Sequence, residues 1–80
     1  MPRYFIDTDD GHQLCRDDDG AVYGDLSAAE VEAMRALPDI ARDCRLDGGD
    51  RTITAQIRDE AGIVVASATL RVTVERSGSR

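Results

Sequence analysis

Apolar and polar positions alternate with a period of two through the last third of the chain. Over residues 51–59, Ile53, Ala55 and Ile57 alternate with Thr52, Thr54, Gln56 and Arg58. Over residues 63–75, Val64, Ala66, Ala68, Leu70, Val72 and Val74 alternate with Val65, Ser67, Thr69, Arg71 and Thr73. Such alternation puts one set of side chains on each face of a strand, so the segment predicts a hairpin with one dry and one wet face. Asp59-Glu60-Ala61-Gly62 suits a type I turn whose fourth residue takes a positive φ. A bulge at Gly62 would shift the pairing by one residue, and because Ile63 and Val65 are also apolar, the pattern leaves the register open.

The N-terminal pattern is shorter. Residues 3–8, with Tyr4, Phe5 and Ile6, read as a first strand. Asp9-Asp10-Gly11 marks a turn, and residues 12–16 return as a second strand around Leu14. Asp17-Asp18-Asp19-Gly20 marks another turn before the short apolar piece Ala21-Val22-Tyr23.

A helix follows. Ser27 is placed to cap it, with Glu30 reaching back to the Ser27 amide, and Leu26 and Val31 are spaced for a hydrophobic staple. Val31, Met34, Leu37, Ala41 and Cys44, with Ile40 beside them, recur at helical spacing and predict the stripe that faces the sheet. Pro38 removes one helical hydrogen bond, so a kink or a break is expected near Leu37. Arg42 and Arg45 suit the negative end of the helix, and Asp47-Gly48-Gly49-Asp50 ends it. The predicted fold is therefore α+β: a ββαββ order giving an antiparallel four-stranded sheet with one Pro-kinked helix on its apolar face. Residues 1–76 form one small domain and residues 77–80 a disordered tail.

Eighty residues with only Tyr4, Phe5 and Tyr23 as aromatics make a thin core, and a second copy of the chain is one way to add burial. A net charge of −6, with every basic residue an arginine, works against binding a phosphate backbone. Neither an export signal nor a run long enough to span a bilayer is apparent, which predicts a cytoplasmic location. In that compartment Cys15 and Cys44 are expected as reduced, partly buried thiols, a disulfide between them being the alternative.

Several groups could carry chemistry. Asp7, Asp9, Asp10, Asp17, Asp18 and Asp19 offer carboxylates for a hard cation, but with Gly20 as the turn glycine of a calcium loop the end ligands would be Cys15 and Leu26. Turn residues bonding their own backbone account for them better. His12 has no Ser or second His set beside it, and Cys15, three residues on, falls on the opposite face of a regular strand. Arg3, Arg16, Arg51, Arg58, Arg71 and Arg76 could gather on the open face of the sheet, yet the two C-terminal strands lack aromatics on which bases would stack. The last strand is long for so small a domain, and its edge could pair with another chain unless Arg71, Glu75 and Arg76 guard it.

Met1-Pro2-Arg3-Tyr4-Phe5, the Asp-rich turn ending in Gly20, Leu37-Pro38-Asp39-Ile40-Ala41-Arg42-Asp43, and Arg58-Asp59-Glu60-Ala61-Gly62 followed by Ala68-Thr69-Leu70 together resemble a family of short bacterial proteins catalogued only as a domain of unknown function. The resemblance implies a small stand-alone cytoplasmic domain and carries over no activity, cofactor or functional residue. Acidic or apolar residues usually stand in that family where Cys15 and Cys44 stand here. No residue is assigned as catalytic, cofactor-binding or metal-ligating, and no cofactor is expected. The reading is a non-enzyme acting by protein–protein association, as a homodimer or with another protein, through the sheet edge or a helix face. The alternative is a small regulatory module that binds a ligand or single-stranded nucleic acid on the polar sheet face.

Overall fold

A computed structural model describes residues 1–43, 50–75 and 77. Cys44, Arg45, the Asp47-Gly48-Gly49 helix end, Arg76 and residues 78–80 of the expected tail lie outside the described residues. The elements are β1 (Arg3–Asp9), β2 (Leu14–Cys15), β3 (Ala21–Val22), α1 (Leu26–Asp43), β4 (Arg51–Arg58) and β5 (Val64–Val72). All strand pairs are antiparallel, and the order runs β2-β1-β4-β5, with β3 also on β1. The fold is thus α+β, as the pattern predicts, but the sheet has five strands and the order is βββαββ rather than ββαββ.

The extra strand has a local cause. The return from β1 begins at Asp9↔Leu14 and Thr8↔Cys15, leaves the ladder over residues 16–20, and rejoins it at Tyr4↔Ala21 and Arg3↔Val22. One long edge strand is thereby split in two by the Asp-rich loop. The expected second strand over residues 12–16 shortens to Leu14–Cys15, and the apolar piece after Gly20 becomes β3.

The last hairpin settles the register. Gly62 donates to the Asp59 carbonyl at 3.0 Å and Asp59 donates to the Ile63 carbonyl at 2.9 Å, with Gly62 at φ 83°, so the turn is type I closed by a glycine bulge. Arg58 pairs with Val64 but Ile57 pairs with Ala66, which leaves Val65 as an extra residue in β5. This second bulge aligns Ile53, Ala55 and Ile57 with Leu70, Ala68 and Ala66 on one face. Beyond it, Ile63 and Val64 are exposed, as is Val74 past the strand end.

The helix agrees with expectation in being single and differs from it in its cap and its buried stripe. Its cap is Asp25, whose Oδ1 accepts the Ala28 amide at 2.9 Å, two residues before the expected Ser27. Leu26 consequently lies in the first turn and packs on the core, whereas Val31, its expected staple partner, is half exposed. Of the kink or break expected near Leu37, the break does not occur: α1 runs as the one expected helix through Pro38, which is exposed and leaves the Met34 carbonyl without its helical donor. The buried stripe is Ala29, Ala33 and Leu37, flanked by Leu26, Ile40 and Ala41, while Val31 and Met34 are 49% and 61% exposed. Size explains the choice: Ala29 and Ala33 let the helix settle closely onto a sheet face itself built of Ala55, Ala66 and Ala68 among Ile53, Ile57 and Leu70. None of the described helices is long and apolar enough to cross a membrane.

Two glycines separate backbone strain from packing. Gly20 has φ 68°, and a Cβ there would stand 2.8 Å from the Phe5 ring and 2.9 Å from the Tyr4 carbonyl oxygen, whereas a Cβ at Gly62 meets nothing within 4 Å. Gly62→Ala should cost about 1–2 kcal/mol from the positive φ alone. Gly20→Ala should cost a further 1–3 kcal/mol or so from the clash, read as the difference in urea midpoint between the two variants.

Candidate functional site

The acidic residues are turned onto the backbone. Asp10 Oδ1 accepts the amides of His12 and Gln13 at 2.8 and 2.7 Å, and Asp9 Oδ1 accepts Gly11 at 2.8 Å. Asp17 Oδ1 accepts Asp19 and Gly20, at 3.2 and 2.9 Å, and its Oδ2 accepts Ile6 at 3.1 Å. The bonds to amides two or three residues on are turn chemistry, whereas the Ile6 bond ties the loop to β1. His12 and Cys15 are both exposed, His12 in the β1–β2 turn and Cys15 on the short strand beyond it. Cys15 is therefore not the partly buried thiol expected: β2 is an edge strand, and among the described residues nothing packs over it.

Asp7 is the exception among the acids. It is 8% exposed although it lies on the sheet face opposite the helix, diagonal to Arg58. Arg58 Nε donates to Asp7 Oδ2 at 2.6 Å and Nη2 to Oδ1 at 3.1 Å, a two-pronged pair, and Nη2 also donates to the Asp17 carbonyl at 2.9 Å. The Asp17 amide donates to Asp7 Oδ1 at 2.9 Å, and the Arg58 guanidinium stacks 5.0 Å from the centre of the Phe5 ring. The Arg58 hydrogen bond holds the Asp7 carboxyl below its ordinary value against the opposing cost of burial. Burial pushes Asp17 up, but the amides of Gly20, Ile6 and Asp19 outweigh it and leave that carboxyl lowered.

This cluster was legible only in pieces. Asp7 reads as one of six acids and Arg58 as one of several arginines on the polar face, and the pairing across 51 residues needs the β1–β4 register. Two arginines of the basic stripe are paired with carboxylates, Arg58 with Asp7 and Arg71 Nη2 with Asp50 at 2.8 Å, while Arg3 donates to the Asp19 carbonyl at 3.1 Å. A shallow polar depression of about 350 Å³ beside it is lined by Asp7, Asp9, Leu14, Thr54 and Gln56.

The other side of the sheet carries an apolar groove of about 380 Å³ between α1 and β5. Met34, Leu37 and Pro38 form its helix wall, and residues 67–70 of β5 form the other. β5 is the terminal strand of the sheet, so among the described residues no strand covers its outer row of backbone groups. From Val64 to Leu70 it carries no charge and no proline, the usual guards of an edge. Arg71, the nearest candidate guard, is drawn back over the sheet to Asp50. A free edge and an apolar groove therefore lie side by side.

Residues 3–71 match a family described as Domain of unknown function (DUF6894). No curated protein matches the chain, and no solved structure does either.

The Asp7 cluster makes a prediction for acid. A carboxyl whose folded value lies below its unfolded 3.8 stabilises the fold fully above that value, and loses the contribution as pH falls through the folded value. The urea midpoint should therefore hold steady near neutrality and drop below about pH 4, with a shallower drop in Asp7→Asn. At pH 7, Asp7→Ala should cost about 3 kcal/mol by stranding Arg58, whereas Asp18→Asn on the exposed loop should stay within about 0.5 kcal/mol.

Proposed function

We propose that this chain, which belongs to the DUF6894 family of unknown function, is a non-enzymatic module that works by protein association, accepting an added strand at the β5 edge. The observation that carries the reading is the coincidence of the uncharged β5 edge with the groove bounded by Met34, Leu37 and Pro38. An extended segment pairing with β5 would satisfy its outer amides and carbonyls, and every second side chain of that segment would face the groove. The preferred occupant is thus a strand with small or medium apolar residues at alternate positions. A cytoplasmic location accords with this reading, since the exposed Cys15 thiol stays reduced there. Nucleic acid on the polar face is disfavoured because Arg58 and Arg71 are already held by carboxylates in a chain of net charge −6.

A labelled synthetic peptide copying Val64–Val72, which has the required alternation, tests the edge directly. Excess peptide added to dilute protein should raise its fluorescence anisotropy and shift the amide resonances of β5 and the Met34 methyl. Met34→Asp should weaken binding about tenfold, roughly 1.4 kcal/mol, by charging the groove wall. No binding at millimolar peptide, or shifts confined to other elements, would reject the edge as the docking site.

A further inference from the structure

Resting on that reading of the edge, we infer that its occupant is β5 of a second copy, paired antiparallel about a two-fold axis through Ala68. The inference comes from which flank of the helix is left open. α1 packs on β4 and β5 more than on β1, and Met34 and Pro38, which wall the groove beside β5, are exposed. A two-fold axis perpendicular to the sheet and just outside β5 keeps both helices on the same face. One operation completes the ladder and brings the two exposed flanks, each carrying Met34 and Pro38, together over the joined grooves. A lone peptide strand would complete the ladder but leave both flanks in water.

The register follows from the strand. Ala68 is the middle residue of Val64–Val72, so an axis there uses the whole of β5 in both copies. Opposed residues of an antiparallel pair share a face. On the helix side the partners are then Ala68 with Ala68 and Ala66 with Leu70, which keeps the smallest side chains at the axis between the two grooves. On the open side Ser67 meets Thr69 and Val65 meets Arg71, hydroxyl against hydroxyl with no like charges opposed. An axis through Thr69 would instead set Leu70 beside Ala68 next to it and leave Val64 unpaired.

A charge swap tests partner and register together. Ser67 and Thr69 are exposed on the open face, so changing them leaves the core intact, as circular dichroism should confirm. Light scattering on the full-length chain should give twice the 8.7 kDa chain mass at high concentration and the single mass on dilution. A Ser67→Lys/Thr69→Lys chain and a Ser67→Glu/Thr69→Glu chain should each weaken self-association at least tenfold, because like charges then face each other twice across the axis. Mixing the two should restore the double mass. A wild-type chain that stays single at millimolar concentration, while the Val64–Val72 peptide still binds, overturns the second copy and leaves the edge reading standing. Failure of both removes the edge reading as well. A dimer indifferent to the charges, or variants whose mixture does not recover it, overturns the Ala68-centred pairing.

Discussion

The Asp7–Arg58 pair, with the Asp17 backbone bound to it on both sides, is the constraint on which the rest of the sheet depends. It ties β1 to β4 through the guanidinium, and it ties the loop over residues 16–20 to β1 through the Asp17 amide and carboxylate. That loop has to leave the edge of β1, because the Asp-rich turn does not continue a ladder. The Asp17 carboxylate takes the Ile6 amide that would otherwise face an empty gap between β2 and β3. A buried ion pair of this kind contributes little net stability compared with apolar residues of similar volume, but removing one partner is costly. It joins β1, β4 and the loop in one arrangement, in which the Asp17 amide meets the Asp7 carboxylate and the Asp17 carbonyl meets Arg58.

Much of the fold was legible in the sequence because it rests on strict periodicity and turn chemistry. The β4–β5 alternation, the Asp59–Gly62 turn with its positive-φ glycine, and a helix between two strand pairs all appear in the structure. What was misread concerns competition between near-equal patterns. The helix carries two overlapping stripes, one of alanines with Leu37 and one with Val31 and Met34. Hydrophobicity alone favours the second, whereas close packing against an alanine-lined sheet selects the first. The cap moved for a related reason: Asp25 and Ser27 are both capping residues, and starting at Asp25 brings Leu26 onto the core. Pro38 was read correctly as lying within a single helix, since packing on both sides of it carries α1 through.

The candidate site was legible only as a possibility. A long last strand implied an edge, but whether Arg71 guards it depends on where that side chain goes, and the Asp50 pairing that diverts it is set by tertiary geometry. The groove was illegible for the same reason as the stripe: it exists because the helix turns Met34 away from the sheet.

These misreadings share one physical origin, and it bears on association. Building the helix–sheet contact from alanines brings the layers close but buries little area per residue, and the fully buried large side chains are Ile53 and Ile57 alone among the described residues. The larger apolar side chains, Val31 and Met34 on the helix and Ile63 to Val65 on the hairpin, are left outside. The two sides of the sheet are treated differently as well. The β1 side ends in two short strands, β2 and β3, with the Asp17 loop bound between them, while among the described residues the β5 side has neither charge nor loop over Val64 to Leu70. A chain that only needed to remain apart from its neighbours would gain from a charge there, since an open edge invites indiscriminate pairing. An edge left bare beside exposed methionine and valine, on a molecule whose other edge is broken into two short strands, is the feature on which the proposed association rests.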